Sequence, residues 1–501
     1  MRGRLLLALL ALFCLAAGPP SAARRHRRAS ERAIIDEYVA LLSIPNLASD
    51  LGDMRRNAAH IEKMFARRGV VTRRLEVPGA PPAIYGELRV PGARQTLLFY
   101  AHYDGQPVEP EAWVGRAPFR PILRDGSLES GGKPIRLPAP GRPFDPEWRL
   151  YARSAGDDKA PILAWMVALD ALRGAGIPLR SNILFFLDGE EEAGSPHLSE
   201  ILRRHRDLLR ADVWIFCDGP VHQNRSQQIA FGARGQTGLQ LTVYGARREL
   251  HSGHYGNWAP NPADMLARLV SSMRDADGRV LVRGFYDDVA PLSPRERRAL
   301  AEAPRHDAAL RQELWLARTE GRGKRLDELI NLPALNVRGL ASAGVGERSR
   351  NVIPGSATAS LELRLVKGMD HRRAVDGVIR HIQAQGYHVV ESEPDAATRR
   401  RHPRVARVER ESGYNAVRAR MDLPIAQKIV RAVESARGDV ILMPTLGGSL
   451  PLAPIDAILR APVIIVPIAN HDNNQHAHNE NIRIQNLWDG IETMAALLAM
   501  D

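Results

Sequence analysis

The sequence predicts an α/β protein with a central mixed sheet flanked by helices and a smaller α+β domain inserted into it. Three observations carry this. First, continuous apolar runs of strand length recur at Thr96–Ala101, Asn182–Leu187, Asp212–Cys217 and Pro462–Ile468. A strand that is apolar on both faces belongs in a sheet covered by helices on both sides. Second, the segments Thr237–Val243 and Ala357–Leu365 alternate instead, which suits antiparallel strands with one wet face. Third, 501 residues exceed what one simple core fills. The predicted domains are 24–236 and 398–501 for the two parts of the main domain and 237–397 for the insertion, with no internal repeat.

The N-terminus reads as a signal peptide over 1–23. Arg2 and Arg4 form its charged end, Leu5 to Ala17 its apolar centre, and Ser21-Ala22-Ala23 its cleavage site. Arg24 to Arg28 then reads as a flexible basic leader. Cys14 would leave with the signal, so Cys217 alone would remain and no intrachain disulfide is expected. These features together predict an exported protein, periplasmic or secreted, with no membrane span beyond the signal. The formal net charge of +12 invites a nucleic-acid partner, but the basic residues are spread along the chain and no nucleic-acid motif accompanies them. None is expected.

In chain order, helices are predicted from Ala29 to about Ser43 and from Asp53 to Gly69, the second stopped by its glycine. The stretch Gln106 to Trp148 is rich in Pro and Gly, and a long loop of that kind is usually functional or mobile. A helix starts near Lys159, with Ile162, Met166 and Leu169 at helical spacing. Helices over Asn261–Met273 and His371–Gln385 belong to the insertion.

The chemistry collects at strand ends. The first run ends in His102-Tyr-Asp104, the second in Asp188-Gly-Glu190-Glu191-Glu192, the third in Cys217-Asp218 and the fourth in His471 to Glu480. Asp157 and Asp158 sit just before the Lys159 helix. Taken alone, either is an ordinary helix cap. However, ligands of open α/β sheets bind outside the carboxyl ends of the strands, and four such ends carrying His, Asp or Glu point to a metal site. His102 and Asp104 lie two apart and face the same side, so Asp104 is placed to accept the outer ring N–H of His102. Three successive glutamates repel one another, and a metal would compensate them, with one Glu as ligand and its neighbour as general base. His476, His478 and, less well placed, His471 compete for the last ligand position. Cys217 alternates to the opposite face and is read as core.

These pieces resemble the dinuclear zinc family of aminoacylase, glutamate carboxypeptidase, succinyl-diaminopimelate desuccinylase and the carnosinase-like dipeptidases, the last branch most of all. The matching segments, in order, are His102-Tyr-Asp104, Gly156-Asp157-Asp158-Lys159, Glu191-Glu192-Ala-Gly-Ser195, Cys217-Asp218-Gly219, His251-Ser-Gly253, Asn351-Val-Ile-Pro354, Gly447-Gly-Ser449 and His476-Ala-His-Asn-Glu480. The resemblance implies a zinc-exopeptidase-like catalytic domain and a lid domain that also dimerises. Asp157 would bridge two divalent ions, zinc first, with manganese or cobalt accepted. His102 and Asp218 would complete one site, and Glu192 and His476 the other. Glu191 would be the general base, and Asp104 would orient His102. Arg364, Ser449 and Asn351 would bind substrate, Arg364 by its carboxylate. His251 would reach the active site of the partner in a homodimer. Departures from the family pattern are Ala160 where Gly is usual, Asn351 where the dipeptidases have Thr, and an extra stretch near Ser130 to Trp148 placed to narrow the site mouth. The resulting expectation is a metal-dependent amide hydrolase acting on small peptides with a free carboxylate. Removal of an N-acyl group from an amino acid is the alternative. A non-catalytic peptide binder would need a lost ligand or base, and none is lost.

Overall fold

The computed structural model describes residues 18–115 and 117–501. The chain forms two compact units. One holds the described chain from residue 18 to Phe231 together with Ala419–Met443 and Pro454–Asp501, and the other holds Gly232–Arg418 and Pro444–Ala453.

The first unit is built on an eight-stranded sheet in the order 71–75, 83–88, 182–188, 96–102, 213–216, 463–465, 228–230, 441–443. Its four central strands are the four apolar runs. Thr96–His102 pairs parallel with both Asn182–Asp188 and Val213–Phe216, and Val463–Ile465 pairs parallel with Val213–Phe216. Being mutually parallel, they all end at one edge of the sheet, which gathers their polar tails in one place. The edge pairs 71–75/83–88 and 83–88/182–188 are antiparallel, so the sheet is mixed. Phe99, Phe185 and Phe65 pack with Trp165 of the Lys159–Gly174 helix on one face, which explains the absence of polar positions in those strands. That helix is almost wholly buried, and neither Asp157 nor Asp158 caps it through a side chain. The Leu51–Ala66 helix starts two residues earlier than the predicted Asp53, because Asp50 accepts the Asp53 N–H as its cap.

The N-terminal expectation is corrected. Arg2, Arg4, Leu5 to Ala17 and Cys14 lie outside the described residues. The predicted cleavage site does not behave as one. Pro19–Leu42 is a single helix with a kink at Ser30, and Pro19 stands at its first position, where a missing N–H costs nothing. Ala22 and Ala23 are 3% and 0% exposed. Arg24 reaches Glu492 at 2.6 Å and Arg27 reaches Glu31 at 2.6 Å, so the basic run is ordered rather than a leader. The helix packs on the Lys159–Gly174 and Ile484–Leu498 helices. Cleavage after Ala23 would strip buried residues from the core, and the export reading is withdrawn. Among the described residues no helix is long and apolar enough to cross a membrane.

The second unit is a five-stranded sheet in the order 334–341, 356–365, 235–244, 405–410, 388–390. Gly235–Tyr244 and Ser356–Leu365 pair antiparallel over their full length. Helices Pro262–Ser271 and His371–Ala384 cover one face, where Leu239, Leu241, Val243, Leu361 and Leu363 are buried. The alternation seen in the sequence is this single packed face. The insertion is longer than the predicted 237–397, because Val405–Arg410 pairs with Gly235–Tyr244 and the segment 444–453 joins this unit.

Candidate active site

His102 ends its strand completely buried, with Nε2 2.8 Å from Asp157 Oδ1 and 3.8 Å from Asp218 Oδ2. Its Nδ1 is 3.2 Å from the Asp104 carbonyl and 3.3 Å from Asp104 Oδ1. The Asp104 carboxylate has a further task that the sequence did not suggest: it accepts the backbone N–H groups of Glu191 and Glu192 at 3.1 and 3.0 Å. It thereby fixes the one-turn 3₁₀ helix Glu191–Ala193, which Gly194 closes in the left-handed conformation at φ 85°. Gln106 donates to Glu192 Oε2 at 2.8 Å, a contact with no signature in the sequence. His476 Nε2 lies 3.2 Å from both Asp157 Oδ2 and Glu192 Oε2. The Asp157 side chain therefore stands between two sets of donors. Ligand atoms of His102, Glu191 and Asp218 fall within 4.8 Å of one another, as do those of His102, Asp157 and Glu192.

Not all the strand-end residues take part. Glu190 turns away to His197, its Oε2 2.9 Å from the His197 Nδ1. Cys217 is buried against Met494. None of His471, His476 and His478 belongs to either metal-capable group, and His476 and His478 are both exposed; His476 is set apart by its approach to Asp157 and Glu192.

The electrostatics are those of a site built around cations. Burial, reinforced by the Asp157 charge, pushes Glu192 up to about 8 and Asp218 to about 7. Burial also holds Glu191 well above the usual carboxylate range. Burial would raise Asp157 too, but hydrogen bonds from His102 and His476 outweigh it and hold Asp157 well below that range. Asp218 Oδ1 is buried and accepts no hydrogen bond, and buried Asp157 Oδ2 has only His476 Nε2 beside it, at 3.2 Å. Crowded carboxylates with unpaired oxygens beside imidazole nitrogens are the donor set of a divalent metal centre, and the residues fit one.

In the second unit, Arg364 donates to Ser449 Oγ at 2.7 Å and pairs with Glu362 at 2.8 Å, so two of the predicted substrate residues meet. His251 is exposed on the short strand Leu250–His251, which pairs with Val352–Ile353. Its Nδ1 accepts the Gly253 N–H at 3.1 Å. The Asn351 carbonyl accepts the Ser252 N–H at 3.0 Å, which places Asn351 beside His251.

The model for peptidase family M20/M25/M40 matches residues 98–500, a span that takes in every strand end just described. The chain belongs to this family. As an M20-type metallopeptidase it is a metal-dependent hydrolase of amide bonds. It is 27% identical over 431 residues to the Beta-Ala-His dipeptidase of Homo sapiens, covering 83% of this chain and 76% of that protein. It is 25% identical to the Cys-Gly metallodipeptidase DUG1 of Saccharomyces cerevisiae over 424 residues, 83% and 82% of the two chains. The fold of this M20 peptidase matches that of an M20 family metallo-carboxypeptidase from Sulfolobus solfataricus, with a TM-score of 0.75 at 24% identity over 93% of this chain and 98% of that one. Relatives of this kind favour the dipeptidase reading over the deacylase.

Proposed function

We propose that this M20 peptidase is a dipeptidase with two divalent ions, zinc in the first instance, bridged by Asp157. The observation that carries the proposal is the position of Asp157 between two donor sets, His102 with Asp218 on one side and Glu192 with His476 on the other. The relatives named for Beta-Ala-His and Cys-Gly support small dipeptides as the substrate class. Bound ions of this kind polarise a scissile carbonyl and acidify the attacking water. Glu191 takes the water proton on its carboxylate and delivers it to the leaving amine. Arg364, with Ser449, would hold the substrate carboxylate, and Asn351 would contribute to substrate binding. A panel of dipeptides run against N-acyl amino acids tests the reaction. Turnover confined to dipeptides and lost on chelation is expected, and preferential cleavage of N-acyl amino acids would overturn the reading.

The ligand set has its own test. His476→Ala should lose metal, whereas His478→Ala should retain it, because only His476 approaches Asp157 and Glu192. Elemental analysis of the two proteins decides, and the reverse result reassigns the ligand.

A homodimer through the second unit completes the proposal. Its sheet ends in Ala334–Ala341, an edge strand with Leu340 58% exposed. Between this strand and the Pro262–Ser271 helix runs an apolar groove lined by Ala263, Leu266, Leu340 and Val345. An unpaired apolar edge invites another strand, and a second copy covers it symmetrically. His251 then acts in its partner's site, donating its N–H to the carbonyl oxygen as charge develops, an effect typically worth about 10²–10³ in rate. Inactive His251→Ala and Glu191→Gln chains, mixed under subunit exchange, should regain activity, since one of the two sites in a mixed dimer carries neither defect. Verified exchange without recovery would exclude action in trans.

A further inference from the structure

The metal-holding residues of the first unit come from segments far apart in the chain, and one side chain outside that set joins two of them. Glu480 is 1% exposed. Its Oε1 accepts the backbone N–H groups of Gly156 and Asp157 at 2.8 and 2.9 Å. Its Oε2 accepts the Ser154 N–H at 3.0 Å and the Arg153 guanidinium at 2.8 Å. The Glu480 carbonyl takes the Ala152 N–H at 3.1 Å. Arg153 is itself fixed, with its guanidinium 5.1 Å from the Trp113 ring and its N–H on the Pro118 carbonyl at 2.9 Å. The loop also packs directly on the C-terminal segment: a Cβ on Gly156 would come within 2.8 Å of Asn473 Nδ2 and 3.1 Å of the Asn481 carbonyl.

We infer that Glu480 is a positioning residue that sets the backbone of the Asp157 loop and ties it to the loop bearing His476, so that both are aimed before an ion arrives. A buried ion pair with Arg153 alone would be an ordinary structural feature. Here three of the carboxylate's four contacts are N–H groups of the loop itself, one of them that of Asp157. The Asp157 side chain touches His102 and His476, which are themselves members of the metal-holding set, so the backbone N–H bond to Glu480 is what anchors Asp157 from outside that set. The geometry also explains why Glu480 stands four residues after His476: the same short segment carries a ligand at one end and the brace for the opposing ligand at the other. The inference rests on the reading of Asp157 as a shared metal ligand.

The test uses the full chain, zinc and a competing chelator. Glu480→Gln keeps one oxygen for Gly156 and Asp157 but turns an NH₂ toward the Ser154 N–H and Arg153, where donor meets donor. The zinc dissociation constant should weaken about 10- to 100-fold, the usual effect of losing a group that supports a metal ligand, and Glu480→Asp should recover part of it. In the metal-free protein the Gly156 and Asp157 amides should exchange hydrogen faster in Glu480→Gln. A merely structural Glu480 would lower the thermal midpoint and leave zinc affinity unchanged. That result, or unchanged exchange at both amides, overturns the inference. If Glu480→Gln does not fold, Glu480→Asp is read by the same two measurements. Asp157→Asn separates the two readings. If it keeps both ions, the metal assignment of Asp157 fails; if it loses them while Glu480→Gln binds normally, only the brace fails.

Discussion

Glu191→Gln is expected to keep its full complement of metal and to lose roughly 10²-fold or more of kcat. The backbone N–H of Glu191 is held by Asp104 Oδ1 at 3.1 Å, so the substitution leaves the turn and the neighbouring Glu192 in place. Gln is close to Glu in size and still accepts a hydrogen bond through its oxygen, but it cannot take up the water proton. A loss confined to the chemical step lowers kcat and kcat/KM together. Glu192→Gln is the necessary companion. Its carboxylate lies 3.2 Å from His476 and accepts from Gln106, and its loss should empty the site. Because Glu191 also lies within ligand distance of His102 and Asp218, the opposite pattern is physically available. If Glu191→Gln lost metal and Glu192→Gln kept it, the two roles would exchange.

Asp157→Ala should bind neither ion tightly. Its two oxygens approach His102 at 2.8 Å and His476 at 3.2 Å, so one carboxylate serves both donor sets. Truncation also removes the 2.8 Å partner of the buried His102 Nε2, at a cost of about 1–3 kcal/mol. Asp157→Asn, which keeps size and one carbonyl oxygen, therefore belongs beside it, with thermal midpoints measured for both. Elemental analysis that found one ion per chain fully retained would argue against a bridging carboxylate.

Much of this was legible because the information is local. Four buried strands, each followed at once by His, Asp or Glu, need only a parallel sheet to bring those tails together, and the Thr96–His102, Asn182–Asp188, Val213–Phe216 and Val463–Ile465 pairings supply it. Arg364 and Ser449 were legible only through the family resemblance, since nothing in their spacing brings them together. What escaped notice depends on partners distant in sequence. Glu480 reads as one more acidic residue until its four donors from 153–157 are seen. The pairing of Glu190 with His197 is invisible beside two glutamates of the same type. Ala22, Ala23 and Arg24 satisfy the composition of a cleavage site and of a helix start equally well. Only the distant Glu492 and the helices packed around them decide between the two. The predicted end at 397 falls short because Val405–Arg410 lies beyond the 396–401 helix, and its pairing with Gly235–Tyr244 spans most of the insertion.

The sheet order carries a consequence for the growing chain. Val213–Phe216 and Gln228–Ala230 are not neighbours; each pairs with Val463–Ile465, which lies between them. During synthesis the whole of Gly232–Arg418 leaves the ribosome while this gap in the first sheet is still open. Domains tend to fold as units as they emerge, so the second unit can complete its own sheet while an apolar strand of the first waits with an unpaired edge. Closing that gap is a contact between residues separated by the entire insertion, the kind that forms late and slowly. The strand that fills it leads directly into His476, so the event that heals the sheet also brings that imidazole to Asp157.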